Sequence, residues 1–180
     1  METSRLKAVV KRATRGDRAA AGELFDHFHP RVYRYAMSKL KNEQEAEDVA
    51  AETFAKVLRD LDGFKWRGGG FEPWIFRIAS NLVNDHFRRS AREQPRDEAL
   101  FSDAPSTDAS PEEMAALGES IEEMQVLIER LTADQQEVLS LRFAGGLDTE
   151  ETARVMGRKT NAVRQLQFRA LETLRQRLQT

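Results

Sequence analysis

Apolar residues recur along this chain at intervals of three and four, which is the spacing of a buried stripe on an α-helix. Four stretches before residue 94 carry this pattern and each predicts a helix: Ser4 to Ala13, Asp17 to Leu40, Asn42 to Leu58, and a stretch that begins at Pro73. Pro30 lies inside the second stretch, where a missing N–H predicts a kink or a break. No segment shows sustained alternation of apolar and polar residues, so the pattern predicts an all-α protein.

Four more helices are predicted in the second half of the chain. The first runs from Pro111 to about Arg130, and Thr132 caps the second, which Gly145 and Gly146 close. The last two surround a tight turn, and their signals are typical of a helix-turn-helix. They are predicted from about Thr149 to Met156 and from about Asn161 to Leu178, within the last 35 residues. Asp148 and Glu151 cap the first of them, and Gly157 ends it in the left-handed conformation.

The final helix has two chemically different faces. Its apolar stripe requires a core and consists of Val163, Leu166, Ala170, Leu174 and Leu178. Its opposite side is polar and basic and carries Asn161, Arg164, Gln165, Phe168, Arg169 and Gln176. Amide and guanidinium groups hydrogen-bond base edges in a DNA major groove. The pattern therefore favours duplex DNA binding over a solvated amphipathic helix, which is the other place where arginine-rich faces occur.

Charge supports this interpretation because it is sorted along the chain. From Arg154 to the end there are seven basic residues and one acidic residue, a net of +6. From Thr132 to Ala153 there are one basic and five acidic residues, a net of −4. A basic segment of this kind at a helix-turn-helix matches the phosphate backbone of DNA.

A loop rich in aromatic, basic and glycine residues precedes the fourth helix. Around its glycines at 68–70, and into the start of that helix, lie Phe64, Lys65, Trp66, Arg67, Phe71, Trp74, Phe76 and Arg77. Aromatic rings that stack on bases, together with cations that follow phosphates, are typical of single-strand binding. Trp74 is equally compatible with core packing and with a stacking role. The glycines do not form a phosphate loop, since no Lys-Ser or Lys-Thr follows and no strand precedes them.

Composition sets the wider limits. The chain has 180 residues, 40% hydrophobic and 32% charged, as in a soluble globular protein of one or two domains. It has no cysteine, which excludes disulfides and thiolate metal sites, and its three histidines do not form a metal site. No cofactor and no catalytic constellation is predicted. With no apolar run near the length of a membrane span and no signal peptide pattern, a cytoplasmic protein is expected.

Residues 94–110 differ in composition and predict a flexible linker. They are poor in large apolar residues and rich in serine, aspartate, alanine and proline, so they bury too little surface to offset the entropy of ordering. The range from Arg96 to Ser120 holds one basic and seven acidic residues. The predicted organisation is therefore a domain over 1–93, an acidic linker over 94–110 and a second domain over 111–180.

Two long segments resemble a known family. The first reads EAEDVAAETFAKVLRDLDGF and continues through WRGGGFEPWIFRIASNLVNDHFRR, and it resembles the second conserved region of bacterial RNA polymerase sigma factors. The other reads LTADQQEVLSLRFAGGLDTEETARVMGRKTNAVRQLQFRALETL and resembles the fourth region. A chain with these two regions alone, in this order, is similar to the extracytoplasmic-function (group four, sigma-70 family) sigma factors.

The resemblance implies two helical domains on a flexible tether and three binding surfaces. Contact with core RNA polymerase, at the clamp helices of its largest subunit, is implied for Glu47, Asp48, Glu52 and Phe54. Without the resemblance, Asp48, Glu52 and Lys56 would be an ordinary solvated face with an internal ion pair. The acidic linker is implied to thread toward the polymerase active-site cleft and RNA exit path.

The other two surfaces are implied to bind promoter DNA. Capture of an unstacked base of the single-stranded minus 10 element, and contact with nearby phosphates, is implied for Trp66, Arg67, Phe71, Trp74, Asn81, Asp85, Arg88 and Arg89. Recognition of the duplex minus 35 element and its backbone is implied for Arg158, Lys159, Asn161, Arg164, Gln165 and Arg169. An anti-sigma factor that covers both DNA-binding surfaces is an expected partner, and membrane insertion is not expected.

Some choices stay open on the sequence. A stand-alone helix-turn-helix regulator is the alternative function, although it leaves the acidic third helix unexplained. The cap of the final helix is Thr160 by side-chain chemistry and Lys159 by alignment to the family. Phe168 is compatible with contact to a thymine methyl or with packing on the preceding helix. Ala51 stands where the family often has glutamine in the polymerase-binding helix.

Overall fold

The computed structural model describes residues 1–66, 69–93 and 124–178, and every regular element in these ranges is helical. The first half contains α1 (Thr3–Ala13), α2 (Arg18–Leu40), α3 (Glu43–Asp60) and α4 (Phe71–Glu93), with one 3-10 turn at Leu61–Gly63. The all-α prediction is confirmed. Arg67, the linker 94–110 and the start of the helix at Pro111 lie outside the described residues.

Helix starts in the first half follow from short polar side chains. Asp17 Oδ1 accepts a hydrogen bond from the Ala20 N–H at 3.1 Å, and Asn42 Oδ1 accepts one from the Glu45 N–H at 3.0 Å. These side chains satisfy backbone donors that the helix itself leaves unpaired. The break considered at Pro30 does not occur, because α2 is continuous through this residue. The turns on either side bury Phe28 and Val32 completely, and that packing offsets the missing backbone hydrogen bond.

In the second half, residues 124–129 are helical and precede α5 (Ala133–Leu139). A short π-helix (Ser140–Ala144) extends α5, and α6 (Thr149–Met156) and α7 (Thr160–Leu178) follow. Both predicted capping boxes are present, Thr132 with Gln135 and Asp148 with Glu151. Gly157 adopts the left-handed conformation with φ 64°, which a residue with a side chain rarely adopts, and so ends α6.

Two apolar cores hold these helices. The larger core is built from α1 to α4 and also includes Leu141 and Leu147 from the second half. The smaller core holds α5, α6 and α7 together and includes Val138, Val163 and Ala170. Along α7 the predicted stripe is buried or half-buried as far as Leu174, whereas Leu178 is exposed.

The two halves pack directly on each other, a contact that a freely tethered pair of domains does not require. At Gly145 a Cβ atom would lie 2.8 Å from Cε1 of Phe76 and 2.9 Å from the carbonyl oxygen of Leu141. Only glycine permits this approach of the second half to α4. Across the described ranges, no helix is long and apolar enough to cross a membrane, and no group of histidine and acidic residues could hold a metal ion.

Candidate nucleic-acid interface

The recognition face of α7 is open to solvent. All six residues predicted to contact the minus 35 element are exposed: Arg158, Lys159, Asn161, Arg164, Gln165 and Arg169. The opposite side of the helix is fixed by burial of Val163 and Ala170 in the smaller core. Arg142 supports it further, since its Nε donates to Gln167 Oε1 at 3.0 Å and its Nη1 donates to the carbonyl of Leu147. The helix is thus held rigidly while its polar face is free to meet a ligand.

The open choices at α7 are decided by the structure. The helix begins at Thr160, and the carbonyl of Lys159 accepts the first backbone hydrogen bond from the Val163 N–H at 3.2 Å. Lys159 therefore occupies the cap position. Phe168 is 67% exposed and does not pack on the preceding helix, which leaves its ring available for contact with a base.

The aromatic loop forms one cluster with a buried and an accessible part. Phe64, Phe71 and Trp74 pack with ring centroids 4.9 to 5.4 Å apart, and Phe71 also packs on Phe28 at 5.7 Å. Phe71 is 0% exposed, so in this arrangement its ring belongs to the core and is not accessible to DNA. Trp74 is half-buried, and Trp66 is 37% exposed. Trp66 is accordingly the ring of this cluster best placed to stack on a base.

The polar side of α4 carries the other residues that are predicted to contact the minus 10 element. Asn81, Arg88 and Arg89 are exposed, and Asp85 is half-buried. Arg88 Nη1 lies 3.0 Å from Asp85 Oδ1, one turn apart on the helix. An exposed pair of this kind contributes little to stability, so Arg88 is free to exchange its partner for a phosphate.

The acidic face of α3 is also exposed. Glu47, Asp48 and Glu52 lie on it, with Glu47 3.3 Å from His29 Nε2 and Glu52 3.2 Å from Lys56 Nζ. Phe54 was predicted to join them but is only 4% exposed, because its position on α3 faces Phe25 at a centroid distance of 4.9 Å. It supports the helix from inside the core instead of contributing surface.

The halves are joined by a polar contact that we call the interdomain seam, formed by Arg31, Tyr35, Lys39, Ser80, Glu137, Gly145 and Gly146. Glu137 of α5 is its centre. Its Oε1 accepts from the Tyr35 hydroxyl at 2.7 Å and from the Ser80 hydroxyl at 3.1 Å, and its Oε2 lies 2.9 Å from Lys39 Nζ. Arg31 donates to the carbonyls of Gly145 and Gly146 at 2.9 and 3.1 Å. Lys41 and Glu129 form a further ion pair between the halves.

A second link joins α6 to the glycine loop. Arg154 Nη1 donates to the carbonyl of Gly69 at 3.2 Å, and Arg77 of α4 donates to the carbonyl of Arg154. The first helix of the helix-turn-helix therefore touches the loop proposed to hold a single strand.

Two carboxyl groups meet beside this link. Glu151 of α6 and Glu72 of α4 share a hydrogen bond, and both are partly buried. Burial, together with the charge and hydrogen bond of Glu72, raises the pKa of Glu151 to about 8. Although burial opposes it, hydrogen bonds from Glu151 and Arg31 keep the pKa of Glu72 below its usual value. Glu151 therefore holds the shared proton at neutral pH and donates it to an ionised Glu72.

This proton makes the contact between the halves sensitive to pH. The pKa of Glu151 is about 8 in the folded chain and 4.5 as its ordinary value, so its stabilising effect is complete below about pH 4.5 and is lost as the pH rises through about 8. His27 acts in the opposite sense at lower pH, because burial and the N-terminal ammonium lower its pKa below 6.5. Between pH 7 and 8.5 we expect the thermal midpoint to fall by a few degrees at most.

The matched variant for this prediction is Glu151→Gln. Glu151 Oε2 accepts a hydrogen bond from the Asp148 N–H at 2.8 Å. Glutamine keeps an oxygen for this bond and offers an N–H to Glu72, but it does not titrate. Thermal unfolding followed by circular dichroism should therefore show no decline for the variant over the same pH range. Parallel curves for the two proteins would show that another group controls the dependence.

Residues of the seam carry no local signal in the sequence. Glu137 is 102 residues from Tyr35 and 57 from Ser80, and Arg31 is 114 residues from Gly145. In the sequence, Glu137 is a polar residue on a helix face, and a solvated surface has the same pattern. Sequence reasoning missed the seam for this reason.

Comparison with known proteins identifies both halves of the chain. The family model of sigma-70 region 2 matches residues 24–93, and that of sigma-70 region 4 matches residues 121–174. These regions define a helical transcription protein whose second region binds DNA. The chain belongs to the extracytoplasmic-function sigma factors of the sigma-70 family. Members of this family are non-enzymatic subunits that direct RNA polymerase to promoters.

Named relatives support that membership. The ECF RNA polymerase sigma factor BldN of Streptomyces coelicolor is 37% identical over 173 residues, which is 96% of this chain and 66% of BldN. The ECF RNA polymerase sigma factor ShbA of Streptomyces griseus is 37% identical over 183 residues, 97% of this chain and 95% of ShbA. The sigma factor RpoE of Bartonella quintana, solved in complex with the anti-sigma factor NepR, has the same fold with a TM-score of 0.69, at 22% identity over 88% of this chain and 96% of RpoE.

Proposed function

We propose that this chain docks on core RNA polymerase through the acidic face of α3 and reads two promoter elements with the surfaces on α7 and on the loop before α4. The observation that carries the proposal is the presence, in one chain, of an exposed amide and guanidinium face on α7 and an accessible tryptophan in a glycine loop. The first suits duplex DNA and the second suits an unstacked strand. A stand-alone regulator would need only the first of them.

At the minus 35 element, the N-terminal turns of α7 would enter the major groove. Asn161, Arg164 and Gln165 would contact base edges there, with Arg169 one turn beyond, because side chains near the start of a recognition helix reach the bases. Arg158 and Lys159 would hold the backbone. Arg158 now lies 2.5 Å from Asp134 in an exposed ion pair and would exchange this carboxylate for a phosphate.

At the minus 10 element, the loop would hold one base outside the stack. Extrusion of a base costs a few kcal/mol, which an aromatic platform offsets in part. Trp66 would supply this platform, supported by Trp74 and Phe71 from within the core, while Asn81 and Asp85 would offer polar groups to the base edge. Arg88 and Arg89 would follow the phosphates, and Arg67 would join them from the undescribed part of the loop.

The proposal extends to organisation and partners. We assign residues 1–93 to region 2, 94–110 to an acidic linker and 111–180 to region 4, which contain the matched ranges 24–93 and 121–174. An anti-sigma factor is proposed as a partner, because RpoE, which has the same fold, was solved in complex with the anti-sigma factor NepR. A subunit that binds core polymerase at chromosomal promoters would be located in the cytoplasm. It would have no catalytic activity of its own.

Run-off transcription tests the function as a whole. Purified core polymerase is incubated with a pool of genomic promoter fragments, with and without the chain. New defined start sites that depend on the chain would support the proposal, and alignment of their upstream sequences would give both promoter elements. No added transcripts, together with a footprint on duplex DNA in the absence of polymerase, would favour the stand-alone regulator.

The polymerase contact has its own prediction. Asp48→Ala with Glu52→Ala should weaken binding to core polymerase by about tenfold or more, because charge pairs across an interface typically couple by about 1.5 kcal/mol or more. The matched control is Asp60→Ala with Asp62→Ala, which removes two exposed carboxylates at the other end of the same helix and its following turn. The affinity is measured by fluorescence anisotropy of the labelled chain. Equal affinities for the two double variants would remove the assignment to α3.

A further inference from the structure

A groove lies between α1 and the aromatic loop, beside the surface proposed to hold a single strand. Its cavity of about 450 Å³ is lined by Lys7, Val10, Lys11, Thr14, Phe64 and Trp66. Helix α1 ends before residue 24, where the match to sigma-70 region 2 begins. The family match therefore assigns no role to this wall of the groove.

The groove has an aromatic floor and a basic rim. Phe64 fixes the ring of Trp66 by an edge-to-face contact, with centroids 5.7 Å apart and planes at 85°. Val10 is buried beneath, at 3% exposure. On the rim, Lys7 Nζ stands 5.5 Å from the centre of the Trp66 ring, and Lys11 follows one helical turn later. A stacking face next to two ammonium groups is the combination that binds an unpaired nucleotide.

The charges of α1 are divided between two sides. Arg5 pairs with Glu23, and Arg12 pairs with both Asp17 and Glu23. Lys7 and Lys11, by contrast, have no carboxylate within ion-pair distance among the residues that the structure describes. The two lysines that line the groove are therefore available to an external anion, whereas the arginines on the other side are already paired with carboxylates.

We propose that this groove receives the unpaired minus 10 nucleotide whose base stacks on Trp66. This inference rests on the proposed function and adds α1 to the minus 10 surface. The base would stack on Trp66 and displace Lys7 from the ring, and the flexible stem of Lys7 would carry its ammonium to the adjacent phosphate. Lys11 would contact the next phosphate. Duplex DNA does not fit this role, because its bases keep their faces stacked on their neighbours.

The first test measures how salt weakens binding of the polymerase holoenzyme. The probe is a fork-junction DNA from a promoter found by the run-off assay, with a single-stranded non-template minus 10 strand. Lys7→Gln with Lys11→Gln should reduce the slope of log affinity against log salt by about 1.4, since each phosphate contact on a single strand contributes about 0.7. The control, Arg15→Gln with Arg18→Gln, removes the same charge from nearby exposed positions outside the groove and should leave the slope unchanged.

A second test locates the strand directly. The chain has no cysteine, so Lys11→Cys introduces one unique site for a photoactivatable crosslinker. We expect crosslinks to the non-template strand in the holoenzyme complex, and far fewer from Arg15→Cys. Crosslinks from position 11 to a polymerase subunit instead of DNA would overturn the inference and identify a protein-binding groove.

The inference and the proposed function fail in different ways. If the wild-type chain starts no transcripts with core polymerase, the proposed function is wrong and the groove proposal falls with it. If transcription is normal but the Lys7 and Lys11 double variant keeps the wild-type salt slope, the groove proposal alone is wrong.

Discussion

Transcription from a promoter that this chain selects should fall about 30-fold or more when Arg164 and Gln165 are both replaced by alanine. Each bidentate contact of a guanidinium or amide with a base edge contributes about 1–3 kcal/mol of discrimination, so loss of two contacts removes at least about 2 kcal/mol. Both side chains are exposed near the start of α7. Arg164 Nη1 makes only a long 3.4 Å hydrogen bond with Asn161 Oδ1, which is easily exchanged for a base.

The chain offers a matched control in the same helix. Arg175 and Gln176 have the same chemistry eleven residues later, which is about three turns and therefore the same face of α7. Since only the N-terminal turns of a recognition helix reach the bases, Arg175→Ala with Gln176→Ala should keep promoter choice. Run-off transcription on promoters with original and altered minus 35 sequences measures both variants. Unchanged discrimination in the Arg164 and Gln165 variant would refute the assignment of α7 as the reader.

Glu137→Ala should separate the two halves of the chain. The variant leaves the Tyr35 hydroxyl, the Ser80 hydroxyl and the Lys39 ammonium without their shared acceptor. Tyr35 is fully buried, and burial with the nearby charge of Glu137 raises its pKa, so it remains a neutral donor that needs an acceptor. Removal of one partner from a largely buried charged network costs about 3–5 kcal/mol. Apart from Leu141 and Leu147, the larger core lies within α1 to α4 and the smaller core lies within the second half, so opening is expected before global unfolding.

Small-angle X-ray scattering and thermal unfolding measure this effect. The radius of gyration of Glu137→Ala should increase, and its thermal midpoint should decrease. Asp134→Ala is the matched control, because it removes another carboxylate of α5 whose partner, Arg158, is in an exposed pair worth at most about 1 kcal/mol. Equal dimensions and midpoints for the two variants would show that the Glu137 contacts do not hold the halves together.

Features encoded by neighbouring residues could be predicted from the sequence. The Asp148 and Glu151 capping box, the left-handed Gly157 and the stripe from Val163 to Leu174 depend on spacings of a few residues, and all are present. Local chemistry alone thus identified the helix-turn-helix and its exposed face.

Features that depend on packing could not be predicted in the same way. Phe54 and Phe71 are aromatic residues in segments with a functional pattern, yet both are buried by partners elsewhere in the chain. An aromatic ring suits a binding surface and a core equally, and only its neighbours in space distinguish the two. The π-helix at Ser140–Ala144 likewise has no simple signal in its sequence, although it brings Gly145 against Phe76.

The interdomain seam has a quantitative consequence for promoter choice. The numbering of the two promoter elements places them about 25 base pairs apart, or about 85 Å at about 3.4 Å per step. Arg154 of the helix-turn-helix contacts Gly69 of the loop at 3.2 Å, so the halves carrying the two proposed DNA-binding surfaces are packed together in this arrangement and cannot span that length of DNA. If about one molecule in 100 is open, the apparent affinity for every promoter falls about 100-fold, whatever its sequence. Because of the seam, promoters with a low affinity for the open form would not be transcribed, and only promoters with a high affinity would be used.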